Sequence, residues 1–433
     1  GISADDNYEN NAFSGRIGCQ IFERGSLDFV FRSTDAKVHL DDWDYMNYRT
    51  LNDPNYTEET NSQLYLSRYN QQVTDYWDSI LKFGYYTINR DDRDRPDSNE
   101  PFYFAKGWYD SSIIKGEWQN NWYLVDIDVI TMGIEYKEEE GESYYADNWG
   151  ISLFPKKSVN NKAFYFQNQL KLFDRIFLTG GVRVDDHQAF GTETTYRAAL
   201  AYLISFTRTK FKGTWGTGFK APSLYQLYAP AIPAYGFLGG NPNLKPEESE
   251  SFDIGIEQNF WEEKLSLSFV YFHNDYDKFI TFYSYPDYTS TYINLNKAEA
   301  KGYEAQLKLV PCENLTILAN YTRTDTRDKT YGGLLLRRPR NIASMVLDYS
   351  FREKYRINLS VNYVGKRLDW KGFFGENLYG KSYTRVNLAG SYAINEHLQL
   401  LSRIENLFNE HYQEIRGYDA AGISAFGGLK LTF

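Results

Sequence analysis

The sequence predicts an all-β fold, a transmembrane antiparallel β-barrel of about 20 strands. Three observations lead to this prediction. Apolar and polar residues alternate with a period of two along most of the chain. The connections between these alternating segments are by turns short and long. The composition is hydrophilic on average and yet rich in aromatic residues.

The composition permits a membrane protein of the β type but not of the helical type. The mean hydropathy is −0.57, and the chain has no run of about 18 apolar residues that could form a transmembrane helix. A transmembrane strand needs only about 9–11 residues, of which every second one faces lipid. Aromatic residues make up 18% of the 433 residues, as expected for the girdles at two membrane interfaces.

Charge and cysteine content exclude other classes of protein. The net charge of −10 argues against a nucleic-acid partner. The histidines and cysteines have no metal-ligand spacing, and Cys19 and Cys312 are interpreted as unpaired residues of separate hairpins. The pattern requires export but no signal peptide is present, so the chain is interpreted as a fragment or processed product.

The alternation is clearest in the second half of the chain. In residues 355–363 the odd positions are Tyr, Ile, Leu, Val and Tyr, and the even positions are Arg, Asn, Ser and Asn. Residues 303–309 alternate in the same way. The pattern recurs from about residue 12 to the C-terminus with no helical segment between. It predicts that Leu359 faces lipid and that Ser360 faces the lumen.

The connections alternate in length as they do in outer-membrane barrels, which have tight periplasmic turns and long outer loops. Short turns are predicted at 22–25, 261–264, 351–354 and 395–396. Long loops are predicted at 38–61, 89–107, 138–162, 223–250, 365–384 and 409–421. A soluble β-sandwich has the same alternation of residues, but it has no reason to keep every second connection short.

Three stretches of the chain resemble the TonB-dependent receptor family in their sequence and in their order. They are residues 216–224 followed by 241–247, residues 296–304, and residues 405–412 closing on 429–433; residues 336–340 also fit. The motif positions are Lys220, Pro222, Asn241, Pro242, Asn243, Leu244, Asn406, Leu407, Phe408 and the terminal Phe433. Proline cannot donate to a ladder and Asn-Pro-Asn favours turns, so residues 223–246 are predicted to form a structured loop.

The resemblance implies a barrel of about 22 strands in the full receptor, of which residues 1–433 form one domain of about 20. The N-terminal plug and the first hairpin are expected to lie outside this sequence. The resemblance implies active uptake of a scarce nutrient across the bacterial outer membrane, without enzymatic activity. It also implies the following partners: the receptor's own plug, a TonB-type energy-coupling protein, the barrel-assembly machinery, outer-membrane lipid and lipopolysaccharide, and the nutrient.

The resemblance leaves two kinds of nutrient open. The cobalamin receptor is resembled at residues 220–222, 227–228, 241–244, 406–408 and 417–422, and catecholate siderophore receptors are similar almost as closely. Haem receptors of the family carry a histidine between the first two motifs, whereas residues 223–240 contain none. Contacts to a flat ligand are predicted at aromatic loop tips, with these candidates: Tyr45, Tyr235, Phe237, Tyr285, Trp370 and Phe373.

Calcium is a candidate ion, because cobalamin receptors order their outer loops with it. Calcium takes about six to eight oxygen ligands. Two acidic clusters of neighbouring predicted loops supply the candidate ligands Asp41, Asp42, Asp44, Asp91 and Asp92. The family's paired aspartates after a Gln-Thr step are not reproduced, and the nearest segment is 57–60. The alternative is that acidic outer loops face solvent and cation-bridged lipopolysaccharide.

Two other classes of function remain as alternatives. An outer-membrane enzyme needs a Ser/His or Asp/His set at its rim. His187, beside Asp185 and Asp186, has a suitable position for such a set, but no serine motif accompanies it. A passive porin-like channel, or another outer-membrane barrel without energy coupling, has the same alternation and lacks a plug.

Overall fold

One antiparallel sheet dominates the computed structural model, which describes residues 7–44, 49–51, 53, 55–97, 101–233, 236–371 and 377–432. Within these ranges 19 strands join into a single sheet, and three further pairs of strands form small separate hairpins. The helical elements with described bounds are the short helix α1 (Leu224–Tyr228) and a 3₁₀ turn at Val125–Ile127. In the described part of the chain, no helix has the length and apolar character needed to cross a bilayer.

The described strands, in chain order, are β1 (Tyr8–Ile21), β2 (Gly25–His39), β3 (Asp42–Asp44), β4 (Arg49–Leu51), β5 (Thr57–Thr74), β6 (Trp77–Asp94), β7 (Ala105–Leu124), β8 (Asp128–Asp147), β9 (Gly150–Leu172), β10 (Ile176–His187), β11 (Gly191–Ile204), β12 (Thr209–Lys220), β13 (Glu247–Phe260), β14 (Leu265–Ser284), β15 (Ser290–Cys312), β16 (Leu315–Asp328), β17 (Asn341–Phe351), β18 (Tyr355–Val364), β19 (Arg367–Lys371), β20 (Asn377–Gly380), β21 (Tyr383–Ala393), β22 (Leu398–Glu405), β23 (Gln413–Ile415), β24 (Tyr418–Asp419) and β25 (Ser424–Leu431). The small hairpins are β3–β4, β19–β20 and β23–β24.

The strands of the large sheet form a meander, in which each strand pairs antiparallel with the one before it. The prediction of an antiparallel all-β fold is confirmed, and its estimate of about 20 strands is close to the 19 observed. Because 19 is an odd number, the two outermost strands, β1 and β25, run in the same direction.

The period of two gives the sheet an apolar face and a polar face. Leu359 pairs with Leu347 on the apolar face, where the nearby Ile357 is 48% exposed. Asn358 and Asp348 form the next pair on the polar face, and the Asn358 amide donates to the Asp348 carboxylate at 3.3 Å. The predicted assignment of alternate residues to opposite faces therefore agrees with the structure.

The connections also divide between the two ends of the sheet. Tight turns at 22–24, 261–264, 352–354 and 394–397 lie at one end, here called the short-turn end, as predicted. The longer connections, including 40–56, 95–104, 221–246 and 406–423, lie at the other end, here called the loop end. The sequence predicts this division through the spacing of its turns. Consecutive antiparallel strands reverse direction at opposite ends of the sheet, so every second connection lies at the same end.

The long loop predicted at 138–162 is wrong, because β8 and β9 continue through this segment and are joined at residues 148–149. The run of charged residues at 137–142 is typical of a loop, but a strand that projects beyond a bilayer meets water on both faces. An irregularity in register between Gly141 and Ser143 marks this region. The loop predicted at 89–107 shrinks in the same way to 95–104, since β6 continues to Asp94.

Candidate functional site

The polar face carries a chain of ion pairs across β6 to β10. Lys82 Nζ lies 3.2 Å from a Glu117 carboxylate oxygen. Further along, Arg183 donates to both oxygens of Asp185, at 2.9 and 2.8 Å, and to Glu135 at 3.1 Å. The period of two brings these residues onto one face, although they come from different strands.

The ion pairs are short, and their carboxylates are shielded from solvent. Only 2% of the Asp185 side chain and 9% of the Glu135 side chain is exposed. Buried carboxylates are stable only when they are paired, so the guanidinium of Arg183 is required by its surroundings. The arrangement forms a fixed polar wall in which the carboxylates are occupied by basic partners. It is suited to contact with polar groups rather than to acid–base catalysis.

A second group of polar residues, the carboxylate–phenol cluster, lies at the loop end of the polar face. Asp92 and Asp94, near the end of β6, are 8% and 7% exposed. Burial and the neighbouring carboxylate of Asp92 raise the pKa of Tyr56 to about 12. Burial and a hydrogen bond with Tyr145 also raise the pKa of Tyr103. One oxygen of Asp92, Oδ1, is buried without a hydrogen-bond partner in the described structure, so the cluster can accept a donor or a cation.

We expect Tyr56 to ionise only near pH 12. Its pKa in the folded protein lies above the usual value of about 10, so folding favours the neutral phenol. The contribution to stability is complete below about pH 10 and is lost as the pH rises to about 12. Titration of tyrosinate absorbance should therefore show a late phase whose amplitude falls by one tyrosine in Tyr56→Phe, while late-titrating residues such as Tyr103 remain.

The control for this titration is Tyr76→Phe, which removes a phenol that is 59% exposed at the short-turn end. This substitution should leave the late phase unchanged. The expectation for Tyr56 is contradicted if Tyr56→Phe removes absorbance near pH 10 instead.

The structure separates the predicted calcium ligands. Asp91 and Asp92 are successive residues of β6, so their side chains point to opposite faces. Asp91 lies 3.8 Å from Arg93, and Asp92 accepts a hydrogen bond from Arg90 at 3.2 Å. The prediction that these two aspartates lie in a loop is wrong, and their opposite directions keep the two carboxylates from binding one ion together. The other candidates lie at or in β3: Asp41, Asp42 and Asp44. Of these three, only Asp41 has a described side chain.

The segment between β12 and β13 folds against β14 and β15. Ser223 Oγ accepts from the backbone of Gln226 at 3.2 Å, and the Gln226 side chain accepts from the backbone of Ser223 at 2.9 Å. This capping box starts helix α1. Asn241 donates to the carbonyl of Tyr292 at 2.9 Å, and Leu244 is only 1% exposed. The prediction of a structured loop at 223–246 is confirmed for its described residues, 223–233 and 236–246, and the motif residues hold them in place.

Asn406 closes the connection after β22 in a similar way. Its side chain is buried, with the residue 2% exposed. The amide donates to the carbonyls of Glu410 at 2.9 Å and Ala421 at 3.3 Å, and its oxygen accepts from the backbone of Glu410 at 2.8 Å. Of the adjoining motif positions, Leu407 is half-buried and Phe408 is 75% exposed. Phe433 lies outside the described residues.

The remaining motif positions surround the 221–246 segment. Lys220 lies 3.1 Å from Glu247 across the β12–β13 pair. Pro222 is buried where the chain leaves β12, whereas Pro242 and Asn243 are exposed in a turn. These placements show an architectural role for the motif.

The structure describes only some of the predicted ligand contacts. Phe237 is 8% exposed and packs on the rings of Phe282 and Tyr292, at 5.8 and 6.2 Å between centroids. Its assignment as an accessible ligand contact is wrong, because the loop's own packing occupies the ring. Tyr285 is 37% exposed, beside Tyr283. Trp370 is described only as backbone in β19, and three candidates lie outside the described residues: Tyr45, Tyr235 and Phe373.

Replacing Gly240 with alanine should loosen the 221–246 segment. An added Cβ would lie 2.6 Å from the carbonyl carbon of Leu227 and 2.6 Å from the amide nitrogen of Tyr228. Both are backbone atoms near the C-terminal end of α1, so no side-chain movement can relieve the clash. We expect the substitution to lower the free energy of unfolding by about 1–3 kcal/mol. Hydrogen exchange of the amides in 221–246 should become faster.

Gly427→Ala is the matched control, since an added Cβ there meets no atom within 4 Å. It should leave exchange in 221–246 unchanged. Equal exchange in Gly240→Ala and in the unaltered protein would show that the loop can shift without cost.

Three other connections are joined by a group of charged residues, here called the clasp, in which Arg367 and Asp369 are buried and the Arg337 side chain is 52% exposed. Asp369 is 2% exposed and accepts from Arg337 Nε at 2.9 Å and from the backbone of Arg416 at 2.6 Å. Arg367 is 6% exposed and donates to the carbonyl of Gln413 at 2.6 Å. These residues come from the connections after β16, β18 and β22, so the clasp fixes those three connections relative to one another.

Sequence reasoning missed the clasp, although Arg337 belongs to the 336–340 motif and Asp369 precedes a predicted aromatic tip.

The histidine considered for an enzyme rim has a structural setting. His187 Nδ1 accepts from the backbone of Ala189 at 3.2 Å, and its ring stacks on Phe190 at 4.1 Å. Its described hydrogen bond is thus to backbone, not to a nucleophile.

Comparison with known families and curated proteins gives a consistent result. Residues 5–407 match the family model described as TonB dependent receptor-like, beta-barrel. The vitamin B12 transporter BtuB of Vibrio vulnificus is 29% identical over 329 residues, which cover 75% of this chain and 50% of the relative. The vitamin B12 transporter BtuB of Photobacterium profundum is 29% identical over 320 residues, covering 73% and 49%. The chain spans about half the length of these curated relatives.

Solved structures share the fold at lower sequence identity. The siderophore receptor PirA from Acinetobacter baumannii superposes with a TM-score of 0.79 at 18% identity, covering 98% of this chain and 71% of that one. The copper transporter OprC gives a TM-score of 0.81 at 15% identity, covering 100% and 73%. At these identities the likeness establishes the fold alone.

Proposed function

The chain belongs to the TonB-dependent receptor family, and from that membership we propose that it forms the barrel of an active transporter for a scarce nutrient. The relatives are bacterial outer-membrane transporters and receptors, not enzymes, and this chain is likewise an outer-membrane barrel. In that setting the polar face lines the lumen and the apolar face meets lipid. The loop end faces the medium, and the short-turn end faces the periplasm.

The observation that carries the proposal is the fixed rim at the loop end. The clasp holds three outer connections together, and the packing of Leu244 and Asn241 holds a fourth against β14 and β15. A preorganised rim supports selective binding, because the ligand does not have to order the loops when it arrives. A passive channel gains nothing from such a rim.

Two classes of nutrient fit the proposal, a cobalamin or corrinoid and a ferric siderophore. The curated relatives support the first, since they are named as vitamin B12 transporters. The second remains an alternative, because solved siderophore receptors share the same fold. The aromatic candidates proposed as ligand contacts are Tyr45, Tyr235, Tyr285, Trp370 and Phe373. Calcium is proposed at the loop end, through Asp41, Asp42 and Asp44 or through the carboxylate–phenol cluster that contains Asp92.

We propose that residues 1–433 form one barrel domain, and that the plug and the strands that complete the barrel come from outside this sequence. Direct pairing of β1 with β25 would be parallel, because the two strands run in the same direction. An antiparallel closure needs an odd number of added strands. Three would bring the 19 observed strands to about 22, whereas the single hairpin expected from the sequence would not.

Ligand binding tests the nutrient proposal. Protein extracted from outer membranes should show saturable quenching of tryptophan fluorescence with either cyanocobalamin or a ferric tris-catecholate. Tyr285→Ala should weaken that binding, whereas Tyr355→Ala, on the apolar face at the short-turn end, should not. Absence of saturable binding to both ligand classes would refute the proposed nutrients.

Energy coupling separates the transporter from the passive alternative. Cells that depend on this protein for the nutrient should lose uptake when a protonophore collapses the proton gradient, or when the energy-coupling protein is deleted. Uptake that continues in both conditions, together with a steady ion conductance in planar bilayers, would favour the passive porin-like barrel.

A further inference from the structure

The connections at the loop end differ in charge around the barrel. The three connections that the clasp joins, 329–340, 365–382 and 406–423, contain nine basic and five acidic residues. The connections after β2 and β6, 40–56 and 95–104, contain two basic and six acidic residues. Fields of opposite sign at one opening draw an anion toward one side of it. We call the three joined connections the basic sector.

The basic sector folds inward, over the polar face of the sheet. The backbone N–H of Leu335 donates to the hydroxyl of Thr326 at 3.3 Å, and Thr326 lies on the polar face of β16. After β22, the Tyr412 hydroxyl accepts at 3.3 Å from Arg385, which lies on the polar face of β21. In the proposed barrel the polar face lines the lumen, so these connections border the entrance.

Arg337 is the member of the clasp that reaches solvent. Its Nε donates to Asp369 at 2.9 Å, and among the described residues neither of its terminal nitrogens has a hydrogen-bond partner. Its side chain is 52% exposed, whereas Arg367 is 6% exposed and donates to the carbonyls of Gln413 and Glu414. The clasp thus uses only one side-chain donor of Arg337, and the remaining donors are available to a ligand.

The position of Arg337 is fixed through both its backbone and its side chain. The backbone has a φ of 56°, a left-handed conformation that is uncommon for arginine. Its N–H donates to the carbonyl of Leu368 at 2.6 Å, and Leu368 is only 3% exposed. Asp369, which is 2% exposed, holds the guanidinium. A strained residue persists only where its surroundings fix it, and such residues concentrate at functional sites.

Further cations lie near Arg337 in the basic sector. Arg416 is exposed and its backbone N–H donates to Asp369 at 2.6 Å, so its side chain begins next to the clasp. Lys366 is exposed as well, and its Nζ lies 4.3 Å from the centre of the Tyr379 ring. In the described structure neither Arg416 nor Lys366 forms an ion pair, and Asp369 is already bonded to its partners. The sector therefore offers an excess of cations at the entrance.

We propose that Arg337 contacts an anionic oxygen group of the nutrient, with Asp369 as its positioning residue. This inference rests on the proposed transport function and concerns the same opening of the barrel. A guanidinium forms charge-assisted hydrogen bonds with anionic oxygens through parallel N–H groups. Both proposed nutrients carry such oxygens, in the phosphodiester of a cobalamin or in the catecholates of a ferric tris-catecholate. Arg337 thus determines specificity, because a ligand without these oxygens leaves its donors unpaired.

Two corrinoids and one iron chelate test this proposal on protein extracted from outer membranes. Cyanocobalamin contains the phosphodiester, and dicyanocobinamide lacks it. If a corrinoid is the nutrient, Arg337→Gln should weaken the binding of cyanocobalamin about tenfold or more and leave that of dicyanocobinamide unchanged. If a ferric tris-catecholate is the nutrient, the variant should bind it about tenfold or more weakly, and its affinity should depend less steeply on salt. Asp369→Asn should produce the same selective loss by a smaller factor.

The matched control is Arg93→Gln, which removes a guanidinium whose side chain is 53% exposed at the loop end of β6, outside the basic sector. It should bind each ligand as the unaltered protein does, and far-UV circular dichroism should show an intact sheet in every variant. The proposal is overturned if Arg337→Gln binds the nutrient normally. It is also overturned by an equal loss of affinity for both corrinoids, or by a loss for the chelate with unchanged salt dependence, since either indicates a structural effect alone. Absence of binding of all three ligands to the unaltered protein would refute the proposed nutrients, and this inference with them.

Discussion

Arg183→Ala is expected to destabilise the barrel by about 3–5 kcal/mol. The substitution removes a guanidinium that donates to both oxygens of Asp185 and also bonds Glu135. Their side chains are only 2% and 9% exposed, so water cannot replace the lost partner. The cost arises mainly from leaving the buried Asp185 carboxylate without an ionic partner, because Glu135 keeps Lys115 Nζ at 2.8 Å. This cost is larger than the value of an exposed ion pair.

Urea unfolding in lipid vesicles, followed by tryptophan fluorescence, measures this effect. Arg356→Ala is the matched control, because Arg356 Nε also contacts a carboxylate, Asp348, at 2.9 Å, but its side chain is 68% exposed. We expect the control to cost less than about 1 kcal/mol. Arg183→Lys should recover part of the loss, since it keeps the charge but not the paired geometry. Similar losses for Arg183→Ala and Arg356→Ala would show that the Arg183 group is effectively solvated.

Leu359→Arg is expected to cost about 2–4 kcal/mol, the effect of a cation near the middle of the bilayer on the lipid-facing side of a barrel. Leu359 is the fifth of the ten residues of β18 and lies on its apolar face. Ser360→Arg places the same charge one residue further along the same strand. It should cost much less, because Ser360 lies on the polar face beside Asn358 and Asn362 on the same strand.

The comparison of these two variants isolates the direction of the side chain, because strand, depth and substituent are nearly the same. Refolding into vesicles of one defined lipid gives both free energies under identical conditions. Equal costs would mean that the faces of β18 are wrongly assigned, or that the barrel is not embedded at this height.

The sequence predicted the sheet because each strand must satisfy two environments at once. A strand with lipid on one side and a polar interior on the other must alternate, and residues 355–363 do so without exception. The same logic fails where the strands leave the membrane. Residues 137–142 of β8 lie where both sides can be wet, so their charges no longer distinguish a strand from a loop.

The candidate site was predicted less well, since its contacts join residues far apart in the chain. The Asn241 and Asn406 motifs could be found locally, because Asn241 accepts from the backbone of Asn243 and Asn406 donates to the carbonyl of Glu410. The clasp could not, because Asp369 meets Arg337 and Arg416 only after several strands have paired. For Phe237 the error was to predict an exposed ligand contact where the ring is buried. An aromatic residue in a loop can pack inside the loop as readily as it can project from the tip, and the local sequence does not distinguish the two.

The unequal lengths of the strands give the loop end high parts and low parts. With about 3.3 Å per residue and a tilt of about 45°, a strand of 20 residues rises about 47 Å, whereas one of 12 residues rises about 28 Å. The first figure describes β8, with 20 residues, and the second describes β10, with 12 residues. A hydrocarbon core of about 30 Å leaves the β8–β9 hairpin standing well above the bilayer as a ridge.

This ridge, like the hairpin of β14 and β15 with their 20 and 23 residues, projects into the medium, where a large arriving particle can touch it. Its tip carries Trp149 and Ile151, which are 73% and 69% exposed, and its two strands are paired almost to their ends. A rigid, protruding hairpin of this kind is an immunological target. Antibodies raised against intact cells are expected to recognise it before the lower rim at 188–190, and small solutes gain easiest entry over that lower side.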